Sequence, residues 1–144
     1  MNADFPVACM GLFFLASEAH ACEGLEISDA WVRAAPPGAT MAAAYFQATN
    51  GSEQRVRLTS IDSAQFRSAM LHESRLVGGQ AQMRHLPYLD VGPGATLSAA
   101  PGGIHVMLAG PRTVLTVGST FNLTLLCEQG EPLTVTFTVK RTSE

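Results

Sequence analysis

Short runs of alternating apolar and polar residues, separated by turn residues, make up the chain from Leu25 onward. In the last run, "LTVTFTVK", four apolar side chains alternate with threonine and lysine. Successive side chains of a β-strand point to opposite faces, so this pattern gives one buried face and one solvated face. No stretch shows a convincing helical period of 3.6 residues. The pattern therefore predicts an all-β fold, an antiparallel sandwich or barrel.

Glycine, proline and asparagine turns separate the β-prone segments. These read "LEISDAWVRAA", "MAAAYFQATN", "RVRLTSI", "AMLHESRLV", "QAQMRHLPYLDV", "ATLSA", "IHVMLA", "TFNLTLLC" and "PLTVTFTVK". We expect roughly seven to nine strands from them. Trp31 and Phe46 are predicted to be core anchors, because large aromatic side chains bury the most area.

The length and charge of the chain indicate a single globular domain that does not bind nucleic acid. The chain has 144 residues, of which 47% are hydrophobic, so one domain with a substantial core is expected. The formal net charge is only -3, and no run of lysine or arginine occurs. This composition excludes the basic surface that nucleic-acid binding requires. We expect a monomer.

The first 21 residues have the features of a secretory signal peptide. An apolar run over residues 5–16 is followed by Ala19, His20 and Ala21, the small-x-small pattern of a cleavage site. The run is too short to span a bilayer. Asp4 precedes it without any lysine or arginine, so either the signal is atypical or the true start lies upstream of Met1. A buried N-terminal helix is the alternative to a signal peptide. We predict a signal peptide at 1–21 and a single β domain at 22–144, secreted and without a membrane span.

Cleavage after residue 21 would leave two cysteines, Cys22 and Cys127, in an oxidising compartment. A disulfide between them is our hypothesis. Lipidation of Cys22 is the rival interpretation, although Ala19 stands where lipoprotein signals usually carry leucine.

The turn Gly78-Gly79 sets the register of one predicted hairpin, because a two-residue turn fixes which residues face each other. His72 then lies opposite His85, and Ser74 lies opposite Met83. Since side chains alternate, both histidines and the methionine project from one face of the ribbon.

A second strand carries His105 and Met107, which share a face because they are two residues apart. Two imidazoles and two thioethers are soft, neutral ligands that suit Cu(I), whereas zinc favours thiolate or carboxylate, and magnesium or calcium favours oxygen. Methionine also survives an oxidising compartment without forming disulfides. His72, Met83, His105 and Met107 are therefore the predicted metal ligands.

The spacing H-x10-M-x21-H-x-M resembles the signature of the PCuAC family of periplasmic copper chaperones. The segments "DAWVRAAPPGAT", "AAYFQATNG" and "PGGIHVMLAG" are also similar to that family, and the similarity covers about residues 25–140. The resemblance implies a cupredoxin-like β-sandwich that is not an enzyme. It implies that one Cu(I) is bound at an exposed site by His72, Met83, His105 and Met107. It also implies delivery towards the copper centre of cytochrome c oxidase, sometimes alongside a thioredoxin-like copper protein, and a periplasmic location.

The chain departs from the family pattern in two places. Glu73 follows the first ligand where many members have methionine, and no tail rich in histidine and methionine precedes Glu144. A second site for Cu(II) is therefore not expected. His85 and Met70 share the predicted face. We interpret His85 as a surface or supporting residue and Met70 as packing, with a spare thioether as the alternative for Met70.

Two alternatives stay open. One is a copper-free β-sandwich that serves as an interaction module in the cell envelope. The other is an electron-transfer cupredoxin, which is disfavoured because such sites need a cysteine and two histidines, and neither histidine nor methionine follows Cys127. No catalytic triad, zinc-protease motif or phosphate loop occurs, so no enzymatic activity is predicted.

Overall fold

The computed structural model describes residues 22–141, which form a short 3-10 turn followed by ten strands. The turn spans Cys22–Gly24. The strands are β1 (Leu25–Arg33), β2 (Met41–Asn50), β3 (Val56–Asp62), β4 (Phe66–Val77), β5 (Gln80–His85), β6 (Leu89–Val91), β7 (Thr96–Ala99), β8 (Ile104–Pro111), β9 (Thr120–Cys127) and β10 (Leu133–Lys140). They form one mixed sheet in the order β5-β4-β8-β2-β1-β10-β9-β3-β6, and β7 pairs with β2. The predicted all-β class is confirmed.

The number of strands is ten because a proline divides one predicted segment. In "QAQMRHLPYLDV", β5 ends at His85 and β6 begins at Leu89, with Pro87 between them. Proline has no backbone N–H to donate and cannot continue a ladder. The chain therefore leaves β4, the partner of β5, and pairs β6 with β3 at the other edge of the sheet.

One strand pair is parallel, whereas the sequence predicted an antiparallel sheet. β1 and β10 run side by side in parallel, with Trp31 aligned to Thr138. Parallel neighbours need a long connection rather than a hairpin, and here nearly the whole described chain lies between the two strands. The alternation of apolar and polar residues within a strand does not indicate which strand lies beside it or in which direction that strand runs.

The sheet folds over to enclose a core. Its edge strands β5 and β6 are joined by only residues 86–88. Phe66 on β4 also contacts Phe121 on β9 at a ring-centroid distance of 5.3 Å, although four strands separate β4 from β9 in the sheet. The two halves are thus packed as a sandwich. The largest fully buried side chains between them include Phe46, Phe66, Phe137, Leu58, Leu108, Leu123 and Leu125.

A disulfide joins Cys22, at the start of the described chain, to Cys127, at the end of β9. The cysteines are 105 residues apart in sequence, and their Cα atoms are 5.3 Å apart. Closing so long a loop removes conformational freedom from the unfolded chain. The predicted signal peptide lies outside the described residues. Within residues 22–141, no helix has the length and apolar character to cross a membrane.

Trp31 is buried, but not in the core as the sequence suggested. The register of β1 against β2 shifts by one residue between Ser28 and Trp31, and Asp29 there has a φ of +49°. A one-residue bulge moves every later side chain to the opposite face. Val32 therefore enters the core, while Trp31 packs on Tyr45 on the outer surface, with ring centroids 4.7 Å apart.

Candidate metal centre

All seven histidine and methionine side chains of residues 22–141 lie on one face of the sheet. The cross-strand partners of β2, β4, β5 and β8 establish this placement, since directly paired residues point the same way. The set is Met41, Met70, His72, Met83, His85, His105 and Met107. We call the outer surface of these four strands, which carries the set, the ligand face. The opposite face of β4 and β8 is aliphatic and packs into the core.

Three imidazoles form a row across the ligand face. His72 on β4 pairs with His85 on β5 and with His105 on β8. The ring centroids are 5.8 Å apart for His72 and His85, and 5.9 Å apart for His72 and His105. The hairpin register predicted from Gly78-Gly79 is confirmed. His105 is 4% exposed, whereas every residue of β5 is exposed.

Two ring nitrogens in this row are buried and have no hydrogen-bond partner. They are Nδ1 of His72 and Nε2 of His105. Nδ1 of His105 lies 3.1 Å from the carbonyl oxygen of Gly103, which also accepts the amide of Ser74 at 3.0 Å. If His105 donates its Nδ1–H there, its Nε2 holds a free lone pair. A backbone carbonyl that orients one ring nitrogen while the other is left free is typical of metal-ligating histidine, so the residues present fit a metal site.

Burial also favours the neutral form of His72. Desolvation, followed by the neighbouring His105 and His85, lowers the pKa of the His72 imidazole below its ordinary value. A proton and a metal ion compete for the same lone pair. The local environment therefore leaves this ligand available at neutral pH.

The methionines lie on both sides of the imidazole row. Met107 pairs with Met70, and Met83 pairs with Ser74, so Met107 and Met83 are both diagonal neighbours of His72. Diagonal neighbours on one face are about 7–8 Å apart, within reach of long side chains. Met107 is half-buried, while Met83 is 62% exposed on the edge strand. All four predicted ligands thus lie on the ligand face, three of them on the central strands β4 and β8.

Glu73, which follows the first predicted ligand, belongs to the opposite face. Its carboxylate accepts hydrogen bonds from Arg84 at 2.7 Å and from Arg75 at 3.1 Å. These two contacts lower the pKa of the Glu73 carboxyl. In residues 22–141, His, Cys, Asp and Glu side chains form no group of three or more arranged to hold a metal ion. The remaining soft donors beside the imidazoles are thioethers.

For Met70 the sequence left two interpretations open, packing and a spare thioether. Met70 is 38% exposed on the ligand face, so its thioether lies among the other candidate donors. Strand alternation places it beside His72, but its contact with Met107 depends on how β4 pairs with β8, which no turn in the sequence specifies. The register of that pair is a tertiary property.

Comparison with solved structures relates this fold to PCuAC domains. The chain resembles the copper-bound PCuAC domain from PmoF2, with 27% identity, a TM-score of 0.70, and coverage of 84% of this chain and 96% of that one. The Cu(I) form of DR1885 from Deinococcus radiodurans shares 34% identity and a TM-score of 0.65, covering 88% of this chain and 83% of that one.

The family model described as "Putative lipoprotein LpqE-like" matches residues 25–139. A curated relative, "Putative lipoprotein Lxx21020" of Leifsonia xyli subsp. xyli, is 32% identical over 119 residues, which is 82% of this chain and 70% of the relative. The chain therefore belongs to the LpqE-like family of PCuAC copper chaperones.

Proposed function

We propose that the protein binds one Cu(I) as cargo through His72, Met83, His105 and Met107, outside the cytosol. The observation that carries the proposal is the ligand face itself, on which two buried imidazole nitrogens without partners lie beside neutral thioethers. Such a donor set matches Cu(I) better than harder cations. Copper in the PmoF2 domain and Cu(I) in DR1885 give independent support.

The donor set also favours release of the metal. Thioethers bind without losing a proton, and Met83 is largely exposed on an edge strand. A partner can therefore replace the ligands one at a time with its own thiolates or imidazoles, and the protein forms no covalent product. We propose that copper is passed towards the copper subunit of cytochrome c oxidase, with a thioredoxin-like copper protein as a further partner.

An electron-transfer site is a weaker proposal for this chain. Blue-copper centres require a cysteine thiolate with two histidines. Cys22 and Cys127, the cysteines of the described part of the chain, are joined to each other. Neither sulfur is available as a thiolate ligand while that bond is intact.

The disulfide also supports a periplasmic location, since such bonds persist in oxidising compartments. The disulfide and a lipid anchor at Cys22 are mutually exclusive, because lipidation would consume the same sulfur. We propose the disulfide form. Alkylation of the intact mature protein without reductant tests this choice, and labelling of Cys127 would contradict it.

Anaerobic titration with Cu(I), in competition with a chromophoric chelator, tests copper binding. We expect one tight equivalent, and loss of that equivalent in the double variant His72→Ala/His105→Ala. Met41→Leu is the matched control, because Met41 lies on the ligand face but pairs with Ala109, four residues beyond His105 along β8. An unchanged affinity in the double histidine variant would refute the proposed ligands.

A further inference from the structure

We propose that Met70 supplies a thioether to the bound copper, so that β4 and β8 alone carry a complete ligand set, and Met83 is the exchangeable ligand. This inference rests on the proposed function and assigns a role to a residue outside the predicted four. The complete set would be Met70, His72, His105 and Met107.

The strand register places these four residues in a compact block. His72 is directly opposite His105, and Met70 is directly opposite Met107. Within each strand, the methionine and the histidine are two residues apart and share the ligand face. Paired Cβ atoms in such a sheet are about 5 Å apart, and residues two apart on one strand are separated by about 7 Å. Each member of the block is therefore an immediate neighbour of the other three.

Met83 lies outside this block. It pairs with Ser74, on the far side of the imidazole row from Met70 and Met107. The full width of β4 also separates Met83 from His105, because the strand order is β5-β4-β8. Met83 has only His72 of the proposed histidine ligands as a diagonal neighbour, whereas Met70 adjoins both His72 and His105.

Exposure supports different roles for the two methionines. Met70 is 38% exposed on the outer face of a central strand, so its sulfur can be reached from solvent while the neighbouring strands hold its backbone in place. Met83 is 62% exposed on a strand whose residues are all exposed. A ligand on an exposed edge can leave and return without disturbing the sheet, because few contacts hold it. The central block would retain copper while Met83 yields to a partner's ligand.

Copper K-edge X-ray absorption of the Cu(I)-loaded full chain tests the inference by counting sulfur ligands. We expect two sulfur scatterers in Met83→Leu, supplied by Met70 and Met107, and one in Met70→Leu/Met83→Leu. The affinity for Cu(I) should fall on the order of tenfold or more between these two variants. Met41→Leu serves as the control for loss of an exposed methionine, and chemical denaturation of each apo variant verifies the fold.

The outcomes separate this inference from the proposed function. One sulfur scatterer in Met83→Leu, or equal sulfur counts and affinities with and without Met70 in that background, would overturn the role of Met70 while leaving copper binding intact. A wild-type chain without a tight Cu(I) equivalent would overturn both.

Discussion

The two faces of the β4 and β8 strand pair differ in both burial and chemistry. The core face presents Leu71, Val106 and Leu108, which are branched aliphatic side chains buried in the sandwich. The ligand face presents histidine and methionine, including the buried His105. Branched side chains fill a core with few rotamers, whereas thioethers and imidazoles contribute heteroatoms. One face therefore fills volume in the core, and the other presents donor atoms.

Truncation of the core face should have the largest effect on folding. Leu108→Ala removes a fully buried side chain and leaves a cavity, so we expect a loss of about 2–5 kcal/mol in the free energy of unfolding. Met107→Leu, at the neighbouring position, preserves volume and should cost less than about 1.5 kcal/mol. Urea denaturation of the apo proteins measures both values. Comparable losses would mean that the ligand face is also a packing face.

Removal of sulfur donors from the ligand face should weaken copper binding and leave the stability of the fold nearly unchanged. Met83→Leu/Met107→Leu is expected to weaken Cu(I) binding on the order of a hundredfold, since removing even supporting contacts of metal ligands costs about 10–100-fold. Its urea midpoint should stay close to that of the wild type. Competition titration and denaturation of the same samples provide the test, and unchanged copper affinity would show that these sulfurs are not ligands.

Acid should destabilise the apo protein through His72. Its pKa is lowered in the folded state, mainly by desolvation, so the unfolded chain binds the proton more readily. The contribution of neutral His72 is fully present above the ordinary histidine pKa and declines as the pH falls through and below that value. Unfolding free energies between pH 7.5 and pH 5 should therefore fall less steeply in His72→Gln. Identical slopes in the two proteins would contradict the inferred burial effect.

The smallest effect is expected at Glu73, which lies on the opposite face of the hairpin. Glu73→Gln weakens the exposed contacts with Arg84 and Arg75, and solvent-screened ion pairs of this kind contribute little to stability. Copper affinity should not change, because this carboxylate does not reach the ligand face. A clear loss of Cu(I) affinity in this variant, compared with Met41→Leu, would show that the two faces of the hairpin are coupled.

Local patterns predicted the hairpin face, and tertiary pairings determined the rest of the site. Alternation and the turn Gly78-Gly79 were sufficient to place His72 and Met83 on one face. They could not show that Met70 meets Met107, because that contact depends on which strand lies beside β4. Nor could they show that β6 pairs with β3 and not with β4, because that pairing requires the sheet to fold over.

The position of Trp31 shows a second limit of pattern reading. A simple alternation from Leu25 would direct Trp31 into the core, but the bulge at Asp29 reverses the faces. The bulge is a backbone feature with no apolar signature, so the error could be found only once β1 was paired with β2. The alternating "LTVTFTVK" segment has no such irregularity, and Phe137 and Val139 are buried as predicted.

The most direct test of the ligand face is an NMR spectrum of the histidine ring nitrogens, recorded before and after one equivalent of Cu(I) is added to the full-length protein. We predict that Nε2 of His105 and Nδ1 of His72 shift and saturate together at one equivalent, while Nδ1 of His105 stays protonated against the Gly103 carbonyl. Unshifted ring nitrogens in both residues, with copper bound elsewhere, would contradict the proposed site.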